Sequence, residues 1–194
     1  SPSGEITNAV ATGDVSGADA TGGLVGVNAP DPAFEEQLAL IENVSASGAV
    51  EGANRTGGLV GINNAKIRTA TASGDVTAYR AAGGLVGRNG GLFDGGTMIQ
   101  NTKATGDVTV DTEYAGGLVG INPVTGTVRL SFATGEVGGT ADAGGLVGLN
   151  TLEDPDDSGT VTESYWDTET TGQDTSPGNA IGLTTAEMTG PDAV

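Results

Sequence analysis

The sequence predicts an all-β fold: a parallel β-helix, right-handed, of five coils with a partial sixth and a C-terminal cap. Three observations predict it. First, Gly-Gly-Leu-Val-Gly recurs five times, at residues 22–26, 57–61, 83–87, 116–120 and 144–148. Second, every copy stands in the same frame, between an upstream Thr/Ser-Gly turn and a downstream Asn. Third, the frame has a nearly fixed length while one connection does not. From the β-branched residue opening a unit (Ile6, Ile41, Ile67, Ile99, Val128) to its closing Asn (Asn28, Asn63, Asn89, Asn122, Asn150) the step is 22 residues, or 23 in the unit opened by Ile99. From each Asn to the next opening residue, Val161 being the last, the steps are 13, 4, 10, 6 and 11. Coils that share a cross-section and shed their insertions from one edge give this pattern.

Each unit opens with a strand, because its segments are short, β-branched and bounded by Gly, Asn, Thr and Ser, which reads as strands with turns rather than helix. The turn follows as Thr12-Gly13-Asp14-Val15, Ser47-Gly48-Ala49-Val50, Ser73-Gly74-Asp75-Val76, Thr105-Gly106-Asp107-Val108 and Thr134-Gly135-Glu136-Val137. A second strand runs from that Val, a Gly-Gly corner comes next, and a third strand leads to the Asn corner. Three strands per coil pair with their equivalents about 4.8 Å along the axis. The core ladders are Ile6, Val15 and Leu24 with their counterparts. Leu and Val of the motif are chain neighbours and should face opposite sides of a strand. The sequence leaves open which is inside; flanking glycines that allow only a thin core favour Leu24, Leu59, Leu85, Leu118 and Leu146. The five Asn are expected to stack as an amide ladder that satisfies corner backbone groups.

Insertions at 29–40, 90–98 and 151–160 should then leave one edge, with Phe34 and Phe93 folding two of them back on the body. Residues 1–194 form one domain, with coils starting near 6, 41, 67, 99, 128 and 161 and a cap over about 164–194. The lone Trp166 is expected to cover the last coil.

Composition sets limits. Twenty-five acidic residues against 7 basic give a net charge of −18, and Leu, Ile, Val and Phe together make only 40 of 194 residues. Without the repeat, such a chain would border on disorder. No Cys and no His are present, which removes thiolate chemistry, disulfides and the commonest general base and transition-metal ligand. The acidity argues against nucleic acid, and no apolar run is long enough to span a bilayer. Ser1-Pro2-Ser3-Gly4 is no signal region, so any such region lies outside these residues. Dense carboxylates with scarce Lys suit a salt-rich medium, as in halophiles.

The pattern Ile-x-Asn-x-x-Ala-Thr/Ser-Gly-Asp/Glu-Val, then Gly-Gly-Leu-Val-Gly-x-Asn, resembles the GLUG-motif repeat of bacterial and archaeal surface proteins. The same repeat occurs outside the catalytic part of streptococcal immunoglobulin A peptidases. Ser164–Met188 is similar to the segment that often closes such arrays. The resemblance implies a secreted, extracellular, adhesin-like surface protein with no catalytic residues of its own. Thr69, Leu130 and Glu163 depart from it where Asn8, Asn43 and Asn101 stand in other units.

Few residues invite chemistry. Glu153, Asp154, Asp156 and Asp157 share one inserted loop whose oxygens could hold Ca²⁺, the alternative being a solvated acidic loop; no other cofactor is expected. Asn43 and Asn54 head glycosylation sequons, Asn54 the better placed because Asn43 is also a strand position. A Gly-rich phosphate loop is unsupported, since no Gly-Lys-Ser/Thr and no following helix occur. The recurring Asp14, Asp75, Asp107 and Glu136 read as solvated turn acids, interrupted by Ala49, before they read as a catalytic pair. Trp166 with Tyr165 could form a sugar platform; covering the last coil is the simpler role.

The expected function is a non-catalytic structural or adhesive module. The alternatives are a self-assembling subunit of a surface layer, filament or virion fibre, and a carbohydrate-active β-helix enzyme. Five residues before Ile6 cannot cover a coil, so the N-terminal edge is expected to meet another copy or an adjacent domain. A cell-surface glycan or protein is the other expected partner; no nucleic acid and no membrane span are expected.

Overall fold

The computed structural model describes residues 4–30, 39–90, 96–139, 142–151 and 158–189. It is an all-β solenoid of parallel strands stacked coil upon coil. The coils contribute to four parallel sheets rather than three. In the second coil the strands are Leu40–Ala46, Val50–Gly52, Thr56–Gly57 and Val60–Asn63. In the third they are Lys66–Ala72, Val76–Ala78, Ala81–Gly83 and Val86–Asn89. The strand missed in the sequence is the one ending in the first Gly of the motif. It is two or three residues long and too short to show a period; pairing with the coils above and below makes it a strand.

Register follows the repeat. Ile6 pairs with Ile41, Ile41 with Ile67, Ile67 with Ile99, Ile99 with Val128 and Val128 with Val161. Val15, Val50, Val76, Val108 and Val137 form a second column. Both ends of each variable connection therefore sit in aligned columns, and the insertions leave from the corner between the fourth sheet and the first. Residues 31–38, 91–95 and 152–157, with Phe34 and Phe93, lie outside the described residues.

Two thin cores fill the cross-section. The larger joins Ile41, Ile67, Ile99 and Val128 of the first sheet to Leu59, Leu85, Leu118 and Leu146 beside the fourth. The smaller packs Val76, Val108 and Val137 of the second sheet on Ala82 and Ala115 of the third. The Leu and Val of the motif do not face opposite ways: Leu59 and Val60 are both fully buried, as are Leu85 and Val86. The carbonyl of Leu59 accepts the amides of Leu24 (3.0 Å) and Val25 (3.1 Å). The chain turns at Leu, so strand alternation does not carry across it. Leu24 is only half-buried, because its coil has a neighbour on one side alone.

The motif's glycines are explained by close approach. The third sheet lies backbone to backbone on the fourth, with no room for a Cβ. A Cβ on Gly57 would stand 2.2 Å from the Val60 carbonyl oxygen, one on Gly58 2.2 Å from that of Gly84, and one on Gly61 2.3 Å from the Ala20 carbonyl carbon. The upstream turns stack as tightly, a Cβ on Gly74 falling 2.0 Å from the Gly48 oxygen. Gly48 meets the Gly13 oxygen at the same 2.0 Å, whereas Gly13 itself has nothing within 4 Å.

Beyond Val161 the repeat gives way to a cap. Tyr165–Asp167 and Ile181–Leu183 extend the first sheet, and two short helices, Thr168–Thr171 and Thr185–Thr189, complete the cap. Asp167 starts the first helix by accepting the amides of Glu169 (3.0 Å) and Thr170 (3.2 Å), an N-cap. Trp166 is 5% exposed and joins the larger core. Its indole donates to the Gln173 carbonyl at 2.9 Å, which satisfies the ring's one polar group as the tail folds across the last coil.

Candidate functional site

The distinctive surface lies on the first sheet. At one position in every coil its strand enters the left-handed region: Asn8 (φ 54°), Asn43 (54°), Thr69 (48°), Asn101 (53°), Leu130 (51°) and Glu163 (46°). Asn tolerates this conformation, while a β-branched Thr there is strained. The Asn side chains also bond along the column, Asn43 Nδ2 donating to Asn8 Oδ1 and Asn101 Nδ2 to Thr69 Oγ1 at 3.4 Å. These six positions contain every departure noted in the sequence, and their shared conformation is what they have in common.

The kink folds the outer face into a groove of about 530 Å³ running along the axis. Its floor includes Val44, Ala70 and Thr102, which are buried. Asn43, Thr69, Asn101 and Lys103 line it from exposed positions. Along one flank runs the column Val10, Ser45, Thr71, Lys103, Phe132, Tyr165 and Ile181. Between Val10 and Ile181 it passes from hydroxyls through a cation to two aromatic residues on neighbouring coils.

The five corner Asn form an unbroken chain of side-chain hydrogen bonds. Asn28 donates to Asn63 (2.7 Å), Asn63 to Asn89, Asn89 to Asn122 and Asn122 to Asn150 (2.8 Å each). Asn150 ends it on the Gly159 carbonyl, also at 2.8 Å. Asn43 is exposed in the kink column. Asn54 is half-buried, its backbone carbonyl accepting from the Ala20 amide and its side-chain oxygen buried without a partner.

The turn acids have a structural task. Asp14 accepts the Ala49 amide (2.9 Å), Asp75 that of Asp107 (3.0 Å) and Asp107 that of Glu136 (2.8 Å). Each carboxylate thus ties one coil to the next. Glu153, Asp154, Asp156 and Asp157 lie outside the described residues, and among the described residues no cluster of acids assembles a metal site.

A small pocket on the third and fourth sheets gathers Arg55, Arg80 and Arg88. Arg55 pairs with Asp19 at 2.7 Å and Arg80 with Glu113. The bond to Glu113 raises the Arg80 pKa, whereas burial first and then nearby Arg55 lower that of Arg88. Coil-to-coil pairing brings these residues together from distant sequence positions; only the register makes them neighbours.

The model of the GLUG motif matches residues 52–77 and 78–109. Residues 52–109 are GLUG-motif repeats. Each GLUG match begins at or just after the second strand of one coil and ends at that of the next, so it carries the Gly-rich corner, the ladder Asn, the kinked strand and the Gly turn. A curated protein of Evansella cellulosilytica, named as a Gly-rich membrane protein, is 35% identical over 96 residues. The match covers 47% of this chain and 11% of that protein, so the chain spans a small part of its relative's length. No solved structure matches the chain significantly. Among the described residues no helix is long and apolar enough to cross a membrane.

Proposed function

We propose that this chain is a non-catalytic structural and adhesive module of a secreted cell-surface protein, adapted to a salt-rich medium. The observation that carries this reading is the commitment of the recurring polar residues to the scaffold. Corner amides bond one another from Asn28 to Asn150, and turn carboxylates hold the next coil's amides. What remains for an outside partner is the long outer face. The relative's name supports a surface location, and the net charge of −18 supports life in salt.

A second reading rests on the N-terminal edge. Among the described residues, the coil over residues 5–28 has no strand paired on its outer side, with Val10 72% and Val27 51% exposed. Such an edge invites a further coil from an adjacent domain or another copy. Electron microscopy of the purified chain separates the readings, discrete rods supporting the module and regular head-to-tail polymers the assembling subunit. Incubation with polysaccharides tests the remaining alternative: release of cleaved fragments would sink the non-catalytic reading.

A further inference from the structure

Basic residues concentrate on the middle coils of the first sheet. Lys66, Arg68, Lys103 and Arg129, four of the chain's seven basic residues, all fall on first-sheet strands. Those strands, Lys66–Ala72, Thr97–Ala104 and Gly126–Arg129 with Phe132–Ala133, contain no Asp or Glu. The same sheet carries Glu5 and Glu42 on its first two coils, Glu42 in register beside Arg68, so the acid-free stretch begins at the third coil. The four cations alternate with buried residues such as Ile67, Ala104 and Val128, so they belong to the outer face. Among the described residues the ion pairs are Arg55–Asp19 and Arg80–Glu113, and none of the four takes part. The Nε atoms of Arg68 and Arg129 are buried without a hydrogen-bond partner. In register, these two Arg bracket Gln100, one coil to either side.

We propose that this face binds an acidic polysaccharide lying along the solenoid axis across the third to fifth coils. Its carboxylate or sulfate groups meet Lys66, Arg68, Lys103 and Arg129. Its hydroxyls meet the amide and hydroxyl groups of the kink groove, and a sugar ring stacks on Phe132 beside Lys103. Three features favour a glycan over a protein acid patch: the groove runs along the axis, neutral amides and hydroxyls line it, and the flank column carries Phe132 and Tyr165 next after Lys103. Stacked coils repeat these groups about every 4.8 Å, a spacing suited to a linear polymer. The remaining negative charge does not forbid the contact, because beyond about 8 Å it is screened at 0.15 M salt.

This inference names a ligand class for the adhesive reading and rests on it, yet the two fail separately. Rod shape is read without any glycan, and cleavage is read as released fragments whatever the affinity. The test uses the whole chain, titrated calorimetrically with polygalacturonate, dextran sulfate, neutral dextran and polyglutamate. Binding of polygalacturonate, of dextran sulfate or of both supports the proposal and tells carboxylate from sulfate as the recognised group. The variant K66Q/R68Q/K103Q/R129Q should bind at least about tenfold more weakly, with a shallower salt dependence. R55Q/R80Q, altered on the other sheets, should bind as the parent does. Thermal melts confirm that both variants fold, and Phe132→Ser keeps the test open if the fourfold variant does not. It should weaken glycan binding while leaving polyglutamate unchanged. Equal affinity for polyglutamate and polygalacturonate would overturn the proposal, as would binding of neither acidic glycan. So would self-association without glycan that the fourfold variant abolishes, since the face would then meet the acidic turns of a second copy.

Discussion

A single methyl group shows how little slack the repeat has. Gly74 lies in a turn stacked directly on Gly48, and an added Cβ would meet a carbonyl oxygen 2.0 Å away. Backbone cannot step aside as a side chain can, because both turns are pinned by sheet pairing on either side. Gly74→Ala is therefore expected to cost about 3 kcal/mol or more, read as a lower midpoint in denaturant melts with an unchanged slope. The sequence made the glycines conspicuous but not their reason. Five copies of Gly-Gly-Leu-Val-Gly announced a corner; that its glycines press one sheet's backbone onto another became visible only with the fourth sheet. The kink column was equally hidden, since Asn8, Thr69, Leu130 and Glu163 share no chemistry. What they share is a positive φ, a property of the backbone rather than of any side chain.

Among the elements, the Asn ladder and the cap give separable expectations. Asn89 donates to Asn122 and to the Thr127 carbonyl (3.3 Å) and accepts from Asn63, so Asn89→Ala breaks two buried ladder bonds and one part-buried bond besides. A loss of about 2–4 kcal/mol is expected, at about 1–2 for each ladder bond. Asn28→Ala at the ladder's end breaks one ladder bond, to Asn63, and a long 3.5 Å contact to the Lys66 carbonyl, and its loss should be about half as large; equal losses would mean the ladder does not act bond by bond. At the other end, Trp166 is the chain's one Trp and sits inside the cap. Its fluorescence should report loss of the C-terminal coil alone, and Trp166→Ala should cost about 3–5 kcal/mol. Strand columns were legible because β-branched residues and Asn fall at fixed steps. The helices Thr168–Thr171 and Thr185–Thr189 were not, being too short to repeat an apolar period and held by caps rather than by a buried face.

For the molecule as a whole, self-repulsion is the dominant expectation. A net charge of −18 on 194 residues opposes any compact state. Screening shortens from about 8 Å at 0.15 M salt to about 3 Å at 1 M, so thermal midpoints should climb as KCl rises toward molar concentrations. An unchanged or falling midpoint would remove the case for salt adaptation. The overall architecture was legible because repetition multiplies a weak signal: no single unit of this Gly-rich chain specifies a fold, yet five in register do. The cationic face was not, because Lys66, Arg68, Lys103 and Arg129 are scattered over 64 positions and become one surface only when coils stack.

The open turn at Gly13 can be turned into a detector. A methyl group there touches nothing within the described coils, so Gly13→Ala should leave the isolated chain's melting unchanged to within about 0.5 kcal/mol. Any coil that docks ahead of it in the same register, from a longer chain or another copy, would bring its own turn carbonyl to where Gly48 receives that of Gly13. The same methyl would then block docking. One substitution, silent alone and disruptive in company, asks the living system whether this end of the solenoid is ever covered.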